Sequence, residues 1–571
     1  MTAQDKKTVK TQWWKESVAY QIYPRSFMDS NGDGIGDLNG ITARLDYLKA
    51  LGIDVIWICP MYKSPNDDNG YDIADYQAIM DEFGTMADFD RLLEEVHARG
   101  MRLILDLVVN HTSDEHAWFI ESRSSKDNPK RDWYVWRDGK DGREPNNWES
   151  IFKGSAWKYD ETTGQYFLHL FSTRQPDLNW ENPEVRTAIN DMVRWWLDKG
   201  IDGYRLDAVS HMKKVPGLPD LPNPEGLDYV PSFDMHMNVD GVLDYMDNLC
   251  QNSFADYDIM TVGEANGVSA VQARDWVGAG HQRLNMIFQF EHIGGGAAGP
   301  GVTLWAKEPH ALPNLVKLKR IFSRWQGTLH QVGWNALYLE NHDIPRIVSK
   351  WGDVEHYWRE SATSLATMYF LMEGTPFIYQ GQEIGMTNTR FDGIEDFNDV
   401  FAKNEFALQR AKGVPAEDIV AALAVTSRDN SRTPMQWDAS PSAGFTSGTP
   451  WLKVNPNFPA INVAQQEADP ESVLNYYRRL IALRKAEPVL VYGRYALLME
   501  NDPQIYAYTR TLGSEQIVVI TNLSPEEVRC EHDGFALRHA DLLLANYAVA
   551  PHEDTRRATL RPFEARVYRV S

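Results

Sequence analysis

The chain has 571 residues, more than one hydrophobic core comfortably serves, so two or three domains are expected. Its 80 acidic against 57 basic residues leave a net charge of −23, which disfavours nucleic acid and anionic membranes as partners, since both need a cationic surface. Three cysteines, Cys59, Cys250 and Cys530, are too few and too far apart for a disulfide framework or a zinc site.

Residues 1–15 are polar, without the apolar run of a signal peptide, and no stretch approaches the roughly 18 apolar residues of a membrane helix. A cytoplasmic protein is the expectation, with a processed precursor as the other reading. A first β-rich apolar run covers 18–23. Behind it, Asp29-Ser30-Asn31-Gly32-Asp33-Gly34-Ile35-Gly36-Asp37 alternates oxygen-bearing side chains as the start of a calcium loop does, although the twelfth position is Gly40 and not Glu. Oxygen-only ligands favour Ca2+ or Mg2+ over zinc. The alternative is an Asx-rich turn that holds no ion.

Further apolar runs follow at 55–59, 102–109, 203–209, 259–263, 286–290, 336–339 and 377–379, eight in all, with amphipathic stretches such as 86–99 and 185–198 between them. Strand and helix alternating in this way predict an α/β fold, a (β/α)8 TIM barrel of about 250 residues plus insertions. Residues 111–181 are too long and turn-rich for an ordinary loop and predict an inserted, loop-rich subdomain, domain B. Its aromatics Trp133, Tyr134, Trp136, Trp148 and Trp157 are assigned mostly to a small core, with sugar stacking as their other use. After the sixth run, Gly294-Gly295-Gly296-Ala297-Ala298-Gly299 matches a dinucleotide fingerprint in form only; no compact βαβ unit with an acidic partner accompanies it, and a barrel loop is the better reading. A second excursion, about 387–470, follows the eighth run, and a helix-like stretch at 470–485 leads to the end of the barrel. The division is therefore 1–110 and 182–488 for the barrel, 111–181 for domain B, and 489–571 for a C-terminal antiparallel β-sandwich domain.

Barrel enzymes carry their chemistry at the C-terminal ends of the strands. Arg205 and Asp207 lie two apart on the fourth run and so share a face, where the guanidinium would keep the carboxylate ionised and aimed. Glu264 ends the fifth run, Asn110-His111 follows the third and His342-Asp343 the seventh. Three acids converging on one pocket would repel one another, and the least solvated would keep its proton. A proton donor beside an anionic nucleophile is the equipment of retaining glycoside hydrolysis. Taken alone, this reading stands level with that of unrelated acids at loop starts.

Four short segments decide between the two: Asp106-Leu107-Val108-Val109-Asn110-His111, Gly203-Tyr204-Arg205-Leu206-Asp207, Gly263-Glu264 and Asn341-His342-Asp343. In this order they resemble the signatures of the α-amylase family, glycoside hydrolase family 13. Longer matches at Gln21–Phe27, Asn69–Ile73, Gln175–Trp180, Gly374–Gly381 and Arg432–Trp437 are similar to its oligo-1,6-glucosidase, dextran glucosidase and sucrose isomerase branch. The resemblance implies Asp207 as nucleophile, Glu264 as general acid and then base, and Asp343 as the residue that holds sugar hydroxyls. It further implies that His111 and His342 bind glucose hydroxyls as neutral or charged donors, that Asp68 and Arg432 grip the O4 side of the terminal glucose, and that Tyr71 and Phe171 provide stacking surface. Arg205 completes the set as the partner of Asp207. In relatives a loop like 29–37 binds structural calcium, which implies Asp29, Asn31, Asp33, Asp37 and the Ile35 carbonyl as ligands here, with Mg2+ as the alternative ion.

The implied activity is exo-acting hydrolysis of terminal α-linked glucose from small α-glucoside oligosaccharides, by a monomer or weak homo-oligomer. Sucrose isomerases of the branch carry an arginine-rich motif after the sixth strand. Here that segment reads Phe290-Glu291-His292-Ile293-Gly294-Gly295-Gly296, which points to water and not fructose as the acceptor. Position 208 is often Val in α-1,6-specific relatives and smaller in α-1,4-active ones, so Ala208 leaves isomaltose, isomaltulose, trehalulose, sucrose and maltose-type sugars all open.

Overall fold

The computed structural model describes residues 11–280, 283–293, 313–531, 541–550 and 557–570. Each of the eight predicted runs forms a strand: β1 (Ala19–Ile22), β2 (Val55–Ile58), β3 (Arg102–Val108), β4 (Gly203–Asp207), β5 (Met260–Glu264), β6 (Met286–Phe288), β7 (Ala336–Leu337) and β8 (Thr375–Tyr379). They pair in parallel in the order β6-β5-β4-β3-β2-β1-β8-β7, and an isolated parallel bridge between Ile287 and Asn335 joins the two ends into a closed barrel. The predicted TIM barrel is therefore the fold.

Alternation along the strands builds two cores at once. Side chains of one parity, including Tyr20, Ile22, Ile56, Ile58, Leu105, Leu206 and Ile378, pack outward in the large cluster shared with the helices. The other parity fills the barrel with Ala19, Val55, Trp57, Ile104, Met260, Val262, Met286, Phe288 and Phe377. The amphipathic stretches form helices that cover the sheet. Met86–Ala98 opens on a Thr85–Asp88 capping box and buries Phe89, Leu92, Leu93 and Val96, one stripe at helical spacing. Pro183–Lys199 opens on the Asn182 cap with Pro at its first turn and closes on Gly200 in the left-handed region.

The insertion after β3 holds a three-stranded antiparallel sheet, Trp136–Arg137, Gln165–Leu168 and Trp157–Asp160 in spatial order, over its own core of Trp148, Ala156, Trp157, Leu168 and Leu170. Trp133, Tyr134, Trp136, Trp148 and Trp157 are all buried, the core use and not the stacking use. A short parallel pair, Trp148–Glu149 with Val230–Pro231, ties the insertion to the long loop after β4. The excursion after β8 is a small helical unit, with Val400–Ala411 and Ala416–Thr426 packed over Phe391, Phe397, Ala402, Ile419 and Leu423.

From Arg494 the chain forms a five-stranded antiparallel sheet, Arg494–Leu498, Ile505–Leu512, Glu515–Asn522, Ala565–Val570 and Asp541–Ala545 in spatial order, with a two-stranded ladder of Val528–Glu531 and Arg557–Leu560 beside it. Buried cations join this domain to the barrel. The Lys319 ammonium donates to the carbonyls of Met499, Asp502 and Ile505, at 2.6, 2.7 and 3.0 Å. The Arg510 guanidinium donates to Leu371, Leu490, Val491 and Gly493. The three cysteines are free and buried, and among the described residues no helix is long and apolar enough to cross a membrane.

Candidate active site

The parallel register sets Arg205 of β4 beside Asp106 of β3 and Val262 of β5, deep in the barrel mouth. From there its guanidinium reaches three carboxylates. Nη1 donates to Asp106 Oδ1 at 2.8 Å and to Asp207 Oδ1 at 2.6 Å, and Nη2 donates to Glu264 Oε2. One buried cation thus holds the two acids at the ends of neighbouring strands within the span of a single side chain. The contact with Glu264 was not legible from the R-x-D spacing. Asp106, quoted in the sequence only as part of a motif, also takes the Tyr71 hydroxyl at 3.0 Å and the Trp57 indole N–H at 3.2 Å.

The electrostatics separate the acids. Burial raises Asp207 to about 7, against the pull of Arg205 and with the push of Asp106. Burial raises Glu264 further, to about 8, with Arg205 opposing and Asp207 and Asp343 adding to it. Loss of water is therefore the larger cause and like-charge repulsion the smaller, the reverse of the emphasis in the sequence reading. Both carboxyls are raised, Glu264 the further of the two, and Arg205 does not hold Asp207 low as the R-x-D spacing suggested. Asp343, the least buried of the three, is also raised by burial, but His342, Arg428, Arg432 and Arg205 together outweigh this and hold it well below the usual carboxylate range.

The backbone turns sharply at the nucleophile position. Ala208 sits in the left-handed region at φ 45°, ψ 30°, where a residue with a Cβ is strained by about 1–2 kcal/mol and a β-branched one is rarer still. A small residue at 208 suits this turn.

His342 stacks on Tyr71, with ring centres 5.0 Å apart and planes 1° from parallel. Its Nδ1 accepts from Gln21 Nε2 at 2.8 Å, so the proton sits on Nε2, which lies 3.1 Å from Asp343 Oδ2. His111 Nε2 donates to the Tyr71 carbonyl at 3.1 Å, and its ring meets Phe171 at 5.0 Å. Burial lowers both imidazoles, to about 4 for His111 and about 3 for His342, so both are neutral donors.

Arg432 donates to Asp343 Oδ1 at 3.0 Å and to the His342 carbonyl at 3.0 Å. The guanidinium bonded to Asp68 is a different one. Arg428 Nη2 reaches Asp68 Oδ1 at 3.1 Å, Nη1 reaches Asp343 Oδ1 at 3.1 Å, and Asp399 lies on the same group. The sequence reading set Asp68 and Arg432 on the O4 side of the glucose and did not include Arg428, the guanidinium that bonds to Asp68. Gln175 Nε2 completes the surroundings of Asp68 at 3.2 Å, and burial raises that carboxyl to about 6 although Arg428 opposes. The face of Phe152 lies 5.0 Å from Arg428, so domain B and the excursion after β8 meet over this corner of the pocket.

The loop Asp29–Asp37 lies apart from these acids and packs against 445–451 through Asp29 N–H to Phe445 O and Trp451 N–H to Gly34 O, each 3.0 Å. Asp29 Oδ1 accepts the N–H groups of Asn31 and Gly32 at 2.9 and 2.7 Å, Asn31 Oδ1 that of Asp33 at 2.8 Å, and Asp33 Oδ1 that of Ile35 at 2.8 Å. Asp37 caps the helix Leu38–Ala43. The all-oxygen donor set suits Ca2+ or Mg2+. No three His, Cys, Asp or Glu side chains gather as a metal-holding group among the described residues, so an ion here would lean on the Asn31 amide and the Ile35 carbonyl. Residues Gly294–Gly299 lie outside the described residues.

Comparison with known proteins agrees with this geometry. The alpha amylase catalytic domain family matches residues 21–493, and the maltogenic amylase C-terminal domain family matches 495–567. A probable oligo-1,6-glucosidase 3 of Bacillus subtilis is 55% identical over 560 residues, covering 98% of this chain and 100% of the relative. An oligo-1,6-glucosidase of Halalkalibacterium halodurans is 55% identical over 562 residues, covering 98% and 99%. Among solved structures, an isomaltulose synthase of Erwinia rhapontici in complex with sucrose superposes with a TM-score of 0.91 at 46% identity, covering 98% of this chain and 100% of that one.

Proposed function

The chain belongs to the α-amylase family, glycoside hydrolase family 13, and from that premise we propose that it is a retaining, exo-acting α-glucosidase of short oligosaccharides. It is an enzyme that hydrolyses α-glucosides. The observation that carries the mechanism is the single Arg205 guanidinium shared by Asp207 and Glu264. A nucleophile and a proton donor held this close suit double displacement through a glucosyl–enzyme intermediate; inversion needs a water between the two carboxyls and a separation of about 6.5–9.5 Å.

In the first half-reaction Glu264 gives its proton to the glycosidic oxygen while Asp207 attacks the anomeric carbon. In the second, the Glu264 carboxylate takes a proton from water as that water displaces Asp207. Asp343, kept anionic, supports positive charge developing on the ring and accepts sugar hydroxyls, as does Asp68. The neutral His111 and His342 rings, with Tyr71 and Phe171, line the glucose. Arg428 and Arg432 close the far end, which confines the pocket to one terminal residue.

For linkage, the relatives named oligo-1,6-glucosidases support α-1,6-linked substrates here. Ala208 keeps α-1,4-linked sugars in range, and the superposition on isomaltulose synthase makes sucrose isomerisation the second reading. Product analysis over a panel of α-1,1 to α-1,6 glucose disaccharides, with sucrose and its isomers, tests this. Glucose released first as the α anomer from isomaltose supports the proposal. Isomaltulose or trehalulose as the main product from sucrose overturns it.

Several properties are proposed alongside. The loop of Asp29, Asn31, Asp33, Ile35 and Asp37 binds a structural Ca2+, a reading supported by its oxygen-only donors. The protein works in the cytoplasm as a monomer or weak homo-oligomer, a reading its free cysteines support. Its partners are small sugars and not nucleic acid, in keeping with a charge of −23.

A further inference from the structure

A neutral amide that the mechanism does not use stands against the proton donor. Asn266 follows Glu264 by two residues, just past the end of β5, and its Nδ2 donates to Glu264 Oε1 at 3.2 Å. The other carboxyl oxygen, Oε2, accepts from Arg205 Nη2. Each oxygen of the acid therefore has its own N–H donor, one from a cation on β4 and one from an amide in the loop after β5. Asn266 is 6% exposed, and its Oδ1 is buried with no hydrogen-bond partner among the described residues. An unpaired buried polar atom costs about 1–3 kcal/mol, so a leucine of similar shape would serve packing better here. What sets asparagine apart at this position is the bond its nitrogen makes to Glu264.

Charged groups reach Glu264 from several strands. Arg205 and Asp207 act on it from β4, Asp106 from β3 and Asp343 from the loop after β7. The Tyr338 hydroxyl, also just past β7, is kept neutral by burial. Burial raises the Glu264 carboxyl, Asp207 and Asp343 add to this, and Arg205 and the Asn266 bond oppose it. An N–H donor favours the charged form of a carboxyl over the neutral one. When Glu264 acts, its O–H bond breaks and the proton goes to the glycosidic oxygen as the bond to the leaving group opens. The electron pair stays on the carboxyl. The Asn266 bond strengthens as that charge grows, so it stabilises the transition state more than the ground state.

We propose that Asn266 is a positioning residue that holds Oε1 of Glu264 and supports the negative charge this acid acquires as it gives up its proton. This rests on the α-glucosidase reading above. Arg205 does not fill the role alone, because its guanidinium bonds Oε2 and is shared with Asp106 and Asp207. A second cation beside Oε1 would drive Glu264 to ionise and end its use as an acid. A neutral amide adds a donor without adding a charge, so the carboxyl keeps its proton until the glycosidic oxygen takes it.

The test compares wild type with Asn266→Leu, which keeps the shape and removes the donor, on isomaltose and on p-nitrophenyl α-glucoside across pH. Without the donor the carboxylate is less stable and the proton is held more tightly. The basic limb of kcat/KM for isomaltose should therefore move to higher pH, by about half a unit or more. At neutral pH kcat/KM for isomaltose should fall about tenfold, a part of what a general acid contributes. The loss on p-nitrophenyl α-glucoside should be smaller, since its leaving group departs with little help from a proton. The melting temperature should hold or rise, because leucine removes the unpaired oxygen. Asn266→Ala, the variant to use if leucine does not fold, should move the limb the same way. A residue that merely touched the leaving sugar would lower the rate and leave the limb in place, so an unmoved limb overturns the proposal whether or not the rate falls. A limb displaced to lower pH, or equal losses on both substrates, overturns it as well. Wild-type inactivity on both substrates would instead overturn the α-glucosidase reading, so the two failures are distinct.

Discussion

At the scale of single residues, the account rests on how burial and a shared cation divide labour between two acids. Asp207→Asn keeps the shape and removes the nucleophile; hydrolysis of p-nitrophenyl α-glucoside should fall at least about a thousandfold, near 4 kcal/mol of transition-state stabilisation, with melting temperature little changed. Residual activity within about tenfold of wild type would contradict the role. Glu264 must be protonated to act, so activity should fall as pH rises through about 8. Removing the Asp343 charge takes away a neighbour that raises Glu264, so the basic limb measured on residual activity in Asp343→Asn should move to lower pH. An unmoved limb would remove Asp343 from the electrostatics of the acid. Arg428, bonded to Asp68, Asp343 and Asp399, is expected to matter to sugar binding; Arg428→Ala should cost about a hundredfold in kcat/KM, about 2.7 kcal/mol, and unchanged kinetics would contradict its place in the site.

At the scale of elements, the strands and the acids at their ends were readable because apolar runs bounded by turn residues are a local signal. The strand β4 needed only period-two alternation to put Arg205 and Asp207 on one face. Asp106 was in plain view, but its bond to Arg205 depends on the β3–β4 register, which no single strand encodes. Arg428 lies 85 residues beyond Asp343 in an excursion without a barrel's periodicity, so nothing local marks it as a member of the site. The loop Asp29–Asp37 gives a prediction at this scale: if it holds Ca2+, chelation should lower the melting temperature and added Ca2+ restore it, since a ligand that binds only the folded state stabilises it by mass action. A melting temperature indifferent to both would assign the loop to hydrogen bonding alone.

At the scale of the whole molecule, the barrel, domain B and the C-terminal sheet were legible as a sequence of regions, but their joints were not. Lys319 and Arg510 reach across the boundary near 493 to backbone carbonyls, contacts made by single cations with no pattern around them. Arg510→Ala leaves several buried acceptors unpaired and should destabilise by about 3 kcal/mol or more, read as a lower denaturant midpoint; a change below about 0.5 kcal/mol would show the joint to be held elsewhere. The active site is equally a product of distant parts, since β4 and β5 supply the acids, domain B supplies Phe152 and Phe171, and the excursion after β8 supplies Arg428 and Arg432. The most direct test of their joint claim is to trap the reaction halfway with a fluorinated α-glucosyl fluoride and sequence the labelled peptide by mass spectrometry. A glucosyl label on Asp207 is predicted; a label on another residue, or turnover through inversion with none at all, would contradict the account.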